Sequence, residues 1–348
     1  MAEQYLTKYP GKRIDEIIEA LDPDKTFIIT DENVEKLVFP KLSDSTVVKQ
    51  SPRIVLHPGE KYKSIETVME IWGRLQDFAA TRRSIVLNIG GGVITDMGGF
   101  AATTFKRGLR TVNLPTTLLG AVDAATGGKT GINFKGLKNE IGSFHQPEKV
   151  IITAEPFRTL SHSEIMSGYA EMVKTGFIGD KHLYDELLNV DKILGDFSLL
   201  EQAVVKCVAF KEDVVASDPY EKGLRKILNF GHTAGHAFES LLIERGKPVT
   251  HGEAVAHGML VALILSHLKL GFGRHEMEGY REWLRKEYGG PLISKEDISE
   301  VIARMKSDKK NKRYGEPAFT LLEKIGVPVI DCVVKDDEMN EALQDYLR

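Results

Sequence analysis

Cysteine is nearly absent: Cys207 and Cys332 are all the sequence holds, so neither a disulfide framework nor a four-cysteine zinc site can be built. A reducing compartment suits such a chain. The N-terminal stretch MAEQYLTKYPGKRIDEIIEA has no apolar core of signal-peptide type. The longest strongly apolar run, GMLVALILSHLKLGF from Gly258, is shorter than a membrane span requires and carries His267 and Lys269. Charge of one sign is also lacking. The 46 Lys+Arg against 50 Asp+Glu leave a net charge of −4, which argues against nucleic acid or an anionic membrane as the main partner. The expectation is a soluble, cytoplasmic protein that works on a small molecule.

What is present points to two domains. The 348 residues exceed what one core usually serves, and 42% hydrophobic content supplies ample apolar material. Short β-branched runs stand at 25–30, 53–57, 84–89, 110–114 and 149–153, with a helical pattern over 64–80. Strands alternating with helices predict a mostly parallel sheet. Beyond Pro156, Ser161 and Glu164 take capping-box spacing, and helical patterns follow at 182–194, 198–216, 232–245, 252–270, 275–287 and 295–306. Little strand signal returns before about 318. The predicted architecture is an α/β N-terminal domain with a Rossmann-like sheet (1–155), followed by an all-α C-terminal domain (156–348).

Three stretches carry chemistry. LNIGGGVITDMGG runs from strand to helix through Gly90, Gly91 and Gly92. Backbone N–H groups there can approach a diphosphate, although Thr95 occupies the last glycine of the GxGxxG template. Gly98 and Gly99 thin the helix for close packing. Asp31 and Asn33, at the end of TFIITDEN, suit ribose hydroxyls. Second, a polar segment from 107 to 147 embeds Thr116, Thr117, Asp123, Lys129, Lys138 and Asn139 among glycines, where ammonium and backbone can grip an anion together. Third, His232 and His236 stand four apart with a glycine before each, a common way to hold a metal, but Thr233 replaces the glutamate of a zinc-protease HExxH. His251 opens the next helix, whereas His257 lies about 240° further round it and serves packing. The carboxylate ligand is left open between Glu171, Glu239 and Glu253.

Taken together, GGGVITD, PTTLLGAVDAATGGKTGIN, GLKNEIG, GYAEMVKT, GLRKILNFGHTAGHA and HGEAVAHGM closely resemble the 3-dehydroquinate synthase family, in order and spacing, over about residues 28 to 326. The resemblance implies an NAD-binding domain followed by a metal domain. The implied activity is conversion of a seven-carbon keto sugar-acid phosphate (DAHP) into 3-dehydroquinate and phosphate, in the shikimate pathway of aromatic amino-acid biosynthesis. The steps are a transient oxidation by recycled NAD, phosphate elimination, reduction, ring opening and aldol closure.

By motif, the resemblance makes Glu171, His232 and His251 the ligands of a divalent metal, zinc or cobalt, and turns His236 toward substrate. NAD would contact Asp31, Asn33, Glu60, Lys63, Gly91, Gly92, Val93, Asp96, Thr116, Thr117 and Lys138. Substrate would meet Asp123, Lys129, Asn139, Lys174, Lys211, Glu221, Arg225, Asn229 and His236, with Lys309 or Lys310 also reaching it. Arg107 matches an arginine that the family supplies from the neighbouring subunit of a homodimer. Pro58, Thr95, Phe105 and the Ala124–Ala125 pair depart from the family's usual residues. Related cyclases of seven-carbon sugar phosphates share much of the pattern, and metal-dependent polyol dehydrogenases share the broad architecture. Asn229 and Arg225 favour an acidic substrate.

Overall fold

The computed structural model describes residues 3–135, 137–307 and 317–348; Lys309 and Lys310 lie outside them. The chain forms two compact units, Met1–Ile165 with Leu200–Glu212, and Met166–Leu199 with Asp213–Arg348.

In the first unit the strands are β1 (Glu3–Leu6), β2 (Thr26–Asp31), β3 (Arg53–Leu56), β4 (Ile85–Gly90), β5 (Arg110–Pro115), β6 (Lys129–Phe134), β7 (Leu137–Phe144) and β8 (Lys149–Ile152). Six of them build one parallel sheet in the order β1-β8-β5-β4-β2-β3. The five β-branched runs are β2, β3, β4, β5 and β8. The edge strand β1 and the antiparallel hairpin β6–β7 carry no comparable run and were not expected.

Alternation along the strands makes the layers. Phe27 and Ile29 of β2 and Val86 of β4 face one side, where α4 (Ile65–Asp77) adds Val68, Ile71 and Leu75, and α5 (Gly92–Thr104) adds Ile94, Met97 and Ala101. Ile28, Ile85, Leu87 and Ile89 face the other side, against Ile14, Ile17 and Ile18 of α1 (Pro10–Leu21), with Val34 of α2 (Glu32–Leu37) and Val48 of α3 (Thr46–Gln50). Each such side chain, fully buried, contributes roughly 1.5–3 kcal/mol. The thin helix is real: a Cβ on Gly98 would stand 2.0 Å from Asn88 Oδ1, and one on Gly99 2.5 Å from Thr130 Cγ2. The chain runs from β2 outward to β3, then returns to β4 on the opposite flank of β2. Order therefore reverses between β2 and β4, and open parallel sheets bind ligands outside the carboxyl ends at such a reversal.

The second unit takes most of its mass from helices. They are α6 (His162–Gly179), α7 (Lys181–Leu187), α8 (Val190–Gly195), α9 (Phe197–Ser217), α10 (His232–Glu244), α11 (His251–Leu270), α12 (Arg274–Tyr288), α13 (Ile298–Lys306) and α14 (Asp336–Tyr346), the start of α6 and the middle of α9 belonging to the first unit. The capping box forms as its spacing predicts, with Glu164 N donating to Ser161 Oγ and Ser161 N to Glu164 Oε2. The all-α expectation is corrected to mostly α, because β9 (Ala318–Lys324) and β10 (Val327–Val333) pair as an antiparallel hairpin. The apolar run from Gly258 lies in α11, which spans 20 residues and matches the helical pattern read over 252–270, and 72% of its most apolar window is buried inside the fold. It is a core helix.

Backbone contact holds α6, α10 and α11 together. A Cβ on Gly258 would lie 2.1 Å from Gly231 O, and one on Gly252 1.9 Å from Ser167 O. Gly231 itself turns into α10 at φ +78°. These glycines let the histidine-bearing helix ends meet.

Candidate active site

In the first unit, the residues expected around a dinucleotide gather where the strands end. Gly91 caps α5, and the N–H groups of Gly92 and Val93 sit in its first turn without intrahelical acceptors. A Cβ on Gly91 would come within 3.0 Å of Thr117 Cγ2, and one on Gly92 within 3.0 Å of Ala124 Cβ. The loop is thus a cradle that side chains would fill. Thr116 N donates to Gly90 O at 3.0 Å and Gly120 N to Thr117 Oγ1 at 3.0 Å, tying the end of β5 to that loop. A π-helical turn over Gly120–Ala124 carries Asp123, and Lys211 of α9 donates to both its carboxylate and its carbonyl oxygen.

Asp31 ends β2 and caps α2, its Oδ1 accepting from Val34 N at 3.0 Å; Asn33 follows in that helix. Burial pushes the Asp31 carboxyl up, against the pull of the Val34 and Asn33 amides. Lys63, buried to 3% exposure, pairs with Asp96 Oδ2 at 2.6 Å and also donates to Asn139 Oδ1. Burial pushes the Asp96 carboxyl up while the Lys63 ammonium pulls it down. Lys129 opens β6, Lys138 lies on β7, and both are exposed. Arg107 is exposed on a turn in which Lys106 and Arg107 take φ +49° and +70°, followed by Gly108 at +113°. Two successive left-handed non-glycine residues carry backbone strain, a feature that collects at functional sites.

In the second unit histidines of α10 and α11 gather around one buried carboxylate. Glu171 is 2% exposed, and its Oε1 faces His232 Nε2 at 3.6 Å and His251 Nε2 at 3.7 Å. Neither distance is a hydrogen bond, and among the described residues Glu171 Oε1 is buried with no hydrogen-bond partner. Two ligands of one tetrahedral ion with bonds of about 2.0–2.1 Å stand roughly 3.4 Å apart, so a shared cation suits these donors. Phe230 O lies 3.1 Å from His232 Nδ1, and Glu239 Oε2 lies 3.4 Å from His251 Nδ1. Acceptors behind each ring direct the Nε2 lone pair toward the centre. Of the three carboxylates left open by sequence, Glu171 faces the rings and Glu239 backs one of them. Glu253 lies in the first turn of α11, where its backbone N–H donates to the Thr250 cap. His236 joins the cluster, since His232, His236 and His251 each offer a ring nitrogen within 4.8 Å of the others. Lys174 forms a buried ion pair with Glu171 Oε2. His257, expected to pack, is buried against Tyr346, whose hydroxyl lies 2.9 Å from its Nδ1.

Glu221, Arg225 and Asn229 share one loop and short 3₁₀ turn. Asn229 Nδ2 donates to Glu221 Oε1 at 2.9 Å, and the Arg225 side chain is 2% exposed, donating to Pro219 O at 2.7 Å. Asp218 builds this loop. Its carboxylate accepts from the N–H groups of Lys222, Gly223 and Arg225, and those bonds, Gly223's first, hold its carboxyl below the usual range. Sequence reasoning missed Asp218; an Asp at the start of DPYEKG was the only signal.

The two halves of the chain match models of the 3-dehydroquinate synthase N-terminal domain over residues 53–167 and C-terminal domain over residues 168–311. The 3-dehydroquinate synthase of Parabacteroides distasonis is 42% identical over 348 residues, 99% of this chain and 98% of that one. That of Thermococcus kodakarensis is 40% identical over 315 residues, 90% of this chain and 87% of that one. The solved structure of 2-epi-5-epi-valiolone synthase from Streptomyces hygroscopicus subsp. jinggangensis 5008, with NAD+ and Zn2+ bound, superposes with a TM-score of 0.87 at 24% identity, covering 99% of this chain and 96% of that one. A 2-deoxy-scyllo-inosose synthase complexed with carbaglucose-6-phosphate, NAD+ and Co2+ gives 0.80 at 24% identity, covering 98% and 96%. The fold is therefore one that these two synthases share. Within it, the chain belongs to the 3-dehydroquinate synthase family.

Proposed function

We propose that this protein is an NAD- and metal-dependent 3-dehydroquinate synthase, a carbon–oxygen lyase that converts DAHP to 3-dehydroquinate and phosphate in the shikimate pathway. The observation that carries the reading is the convergence of Glu171 Oε1 on two imidazole Nε2 atoms, in a chain 42% identical along its whole length to a synthase of that name. NAD would take and return a hydride, and a divalent ion, zinc or cobalt, would acidify substrate hydroxyls and polarise a carbonyl.

The chain's own residues divide the rest of the work. Glu171, His232 and His251 would hold the ion, and the Gly91–Gly92 cradle with Asp31, Asn33, Glu60, Lys63, Val93, Asp96, Thr116, Thr117 and Lys138 would hold the dinucleotide. A substrate with a carboxylate and a phosphate needs several cations. Lys129, Lys174, Lys211, Arg225 and, from a second subunit of a homodimer, Arg107 would supply them. Lys211 is held by Asp123 and the Asn229 amide by Glu221, so these contacts orient groups before substrate arrives. Asn139 would add an amide contact. His236 would exchange a proton at a ring nitrogen near the substrate. The domain assignment proposed is 1–155 for NAD and 156–348 for metal and substrate, in a cytoplasmic enzyme.

The test is phosphate release from DAHP with added NAD and metal, run beside sedoheptulose 7-phosphate. DAHP should be turned over with no net NADH. Preference for sedoheptulose 7-phosphate would assign another cyclase, and NADH accumulation with simple polyols would assign a dehydrogenase.

A further inference from the structure

Asn133 has no role in anything set out above, yet it touches three residues placed in the proposed site. Its Nδ2 donates to Glu60 Oε1 at 2.8 Å, its Oδ1 accepts from Asn139 N at 3.0 Å, and its own N–H donates to Lys63 O at 2.8 Å. The cause lies in the register of the β6–β7 hairpin. Ile132 pairs with Ile141 and Phe134 with Leu137, with an irregularity between. Three residues of β7, Lys138, Asn139 and Glu140, therefore oppose Asn133 alone. A bulge of this kind interrupts the ladder and re-aims side chains. Asn139 takes φ +52°, and its N–H, turned out of the ladder, needs an acceptor. The Asn133 carboxamide supplies one. The Asn133 N–H, equally turned from the hairpin, reaches back to the loop after β3, where Lys63 pairs with Asp96.

We infer that Asn133 is a positioning residue: its carboxamide and backbone lock the Glu60–Lys63 loop and the Lys138–Asn139 bulge into one rigid wall. Only a carboxamide satisfies both ends, since Glu60 needs a donor and Asn139 an acceptor at the same short side chain. The lock rests on the proposed function only for what it positions, the NAD and substrate contacts.

The test compares wild type, Asn133→Ala and Asn133→Asp between pH 5.5 and 8, by NAD titration and by thermal melting without ligand. Asn133→Ala should weaken NAD binding roughly 5- to 100-fold at every pH, the effect of leaving polar partners unmet. Asn133→Asp keeps the acceptor for Asn139 but sets a second carboxylate against Glu60. Like charges this close raise one pKa, so its deficit should grow as pH rises through that raised value and shrink toward wild type as a shared proton restores the bond at low pH. The same pH-dependent gap should appear in the melting temperature of the Asp variant and not of the Ala variant. Wild type that binds no NAD would overturn the function proposed, leaving the lock to be judged by melting alone. Melting gaps for the two variants that are equal at every pH would overturn the lock.

Discussion

His232→Ala and His236→Ala separate two ways of holding a metal with the same helix. Glu171 Oε1 stands 3.6 and 3.7 Å from the Nε2 atoms of His232 and His251, close to ligand spacing around one ion, whereas the three-histidine grouping spreads to within 4.8 Å. The proposed set leaves His236 for the substrate. Complete four-ligand zinc sites in small peptides are worth about 10–16 kcal/mol, or roughly 2.5–4 kcal/mol per ligand. Removing His232 should therefore weaken metal affinity by roughly 10²–10³-fold, with activity lost alongside. His236→Ala should retain near-stoichiometric metal and lose roughly 10²–10⁴ in turnover, the usual cost of a proton-transferring group. The assay is metal content after dialysis against a chelator of known affinity, read beside phosphate release and a melting curve. A folded, metal-free His236→Ala protein would refute the Glu171–His232–His251 assignment and establish the plain i,i+4 chelate.

Gly98→Ala presses a methyl onto Asn88, which is fully buried and bonded to Asn113 Oδ1 at 2.9 Å; it should cost about 1–3 kcal/mol. Gly73→Ala in α4 meets nothing within 4 Å and should stabilise by roughly 0.4–1 kcal/mol, so calorimetry should move the two in opposite directions. Arg107→Ala mixed with Lys129→Ala should regain partial activity through hybrid dimers; no recovery despite demonstrated subunit exchange would place Arg107 in its own subunit's site or in none. Burial drives His257 down to about 4 from an ordinary 6.5. The unfolded chain therefore takes up its proton first as pH falls, and stability present above about 6.5 is lost between there and about 4, by roughly 3 kcal/mol. Urea titrations of wild type and His257→Gln should show the wild-type advantage shrinking across that window; a constant difference would contradict the assignment.

Sequence patterning was most informative where burial is strong. The five β-branched runs became β2, β3, β4, β5 and β8 because both faces of that sheet are covered, and buried parallel strands leave continuous apolar runs. The hairpin β6–β7 was read only as a polar segment, since Phe134 and Phe144 are exposed at 41% and 52% and no alternation marks its faces. Strand β1 has only four residues and no β-branched run, whereas helix α14 carries Met339, Ala342, Leu343 and Tyr346 at helical spacing and was legible but went unread. Among candidate site residues, the motifs indicated which side chains matter but not which touch. Nothing in local spacing pairs Lys63 with Asp96 or Lys211 with Asp123, because sheet order and α9 bring them together from far along the chain. Spacing left Glu171, Glu239 and Glu253 open and only the resemblance pointed to Glu171; the α6–α10–α11 packing through Gly252 and Gly258, which sets its carboxylate against the His232 and His251 rings, is recorded by no single motif.

The β6–β7 hairpin also constrains length. Gly131 faces Gly142 so closely that a Cβ on Gly142 would lie 2.3 Å from Thr130 O, and Thr130 Oγ1 meets Ser143 Oγ at 2.8 Å just beyond. Those contacts fix one end of the hairpin, and Asn133 fixes the other. Side chains alternate along a strand, so deleting one residue between them inverts everything on one side of the cut. Either Ser143 turns from Thr130, or Asn139 turns from Lys63. Removing two residues keeps the faces but erases the bulge. The stretch from Gly131 to Gly142 therefore acts as a ruler: a substitution within it should change one contact, whereas a one-residue insertion or deletion should displace every contact on one side of the change.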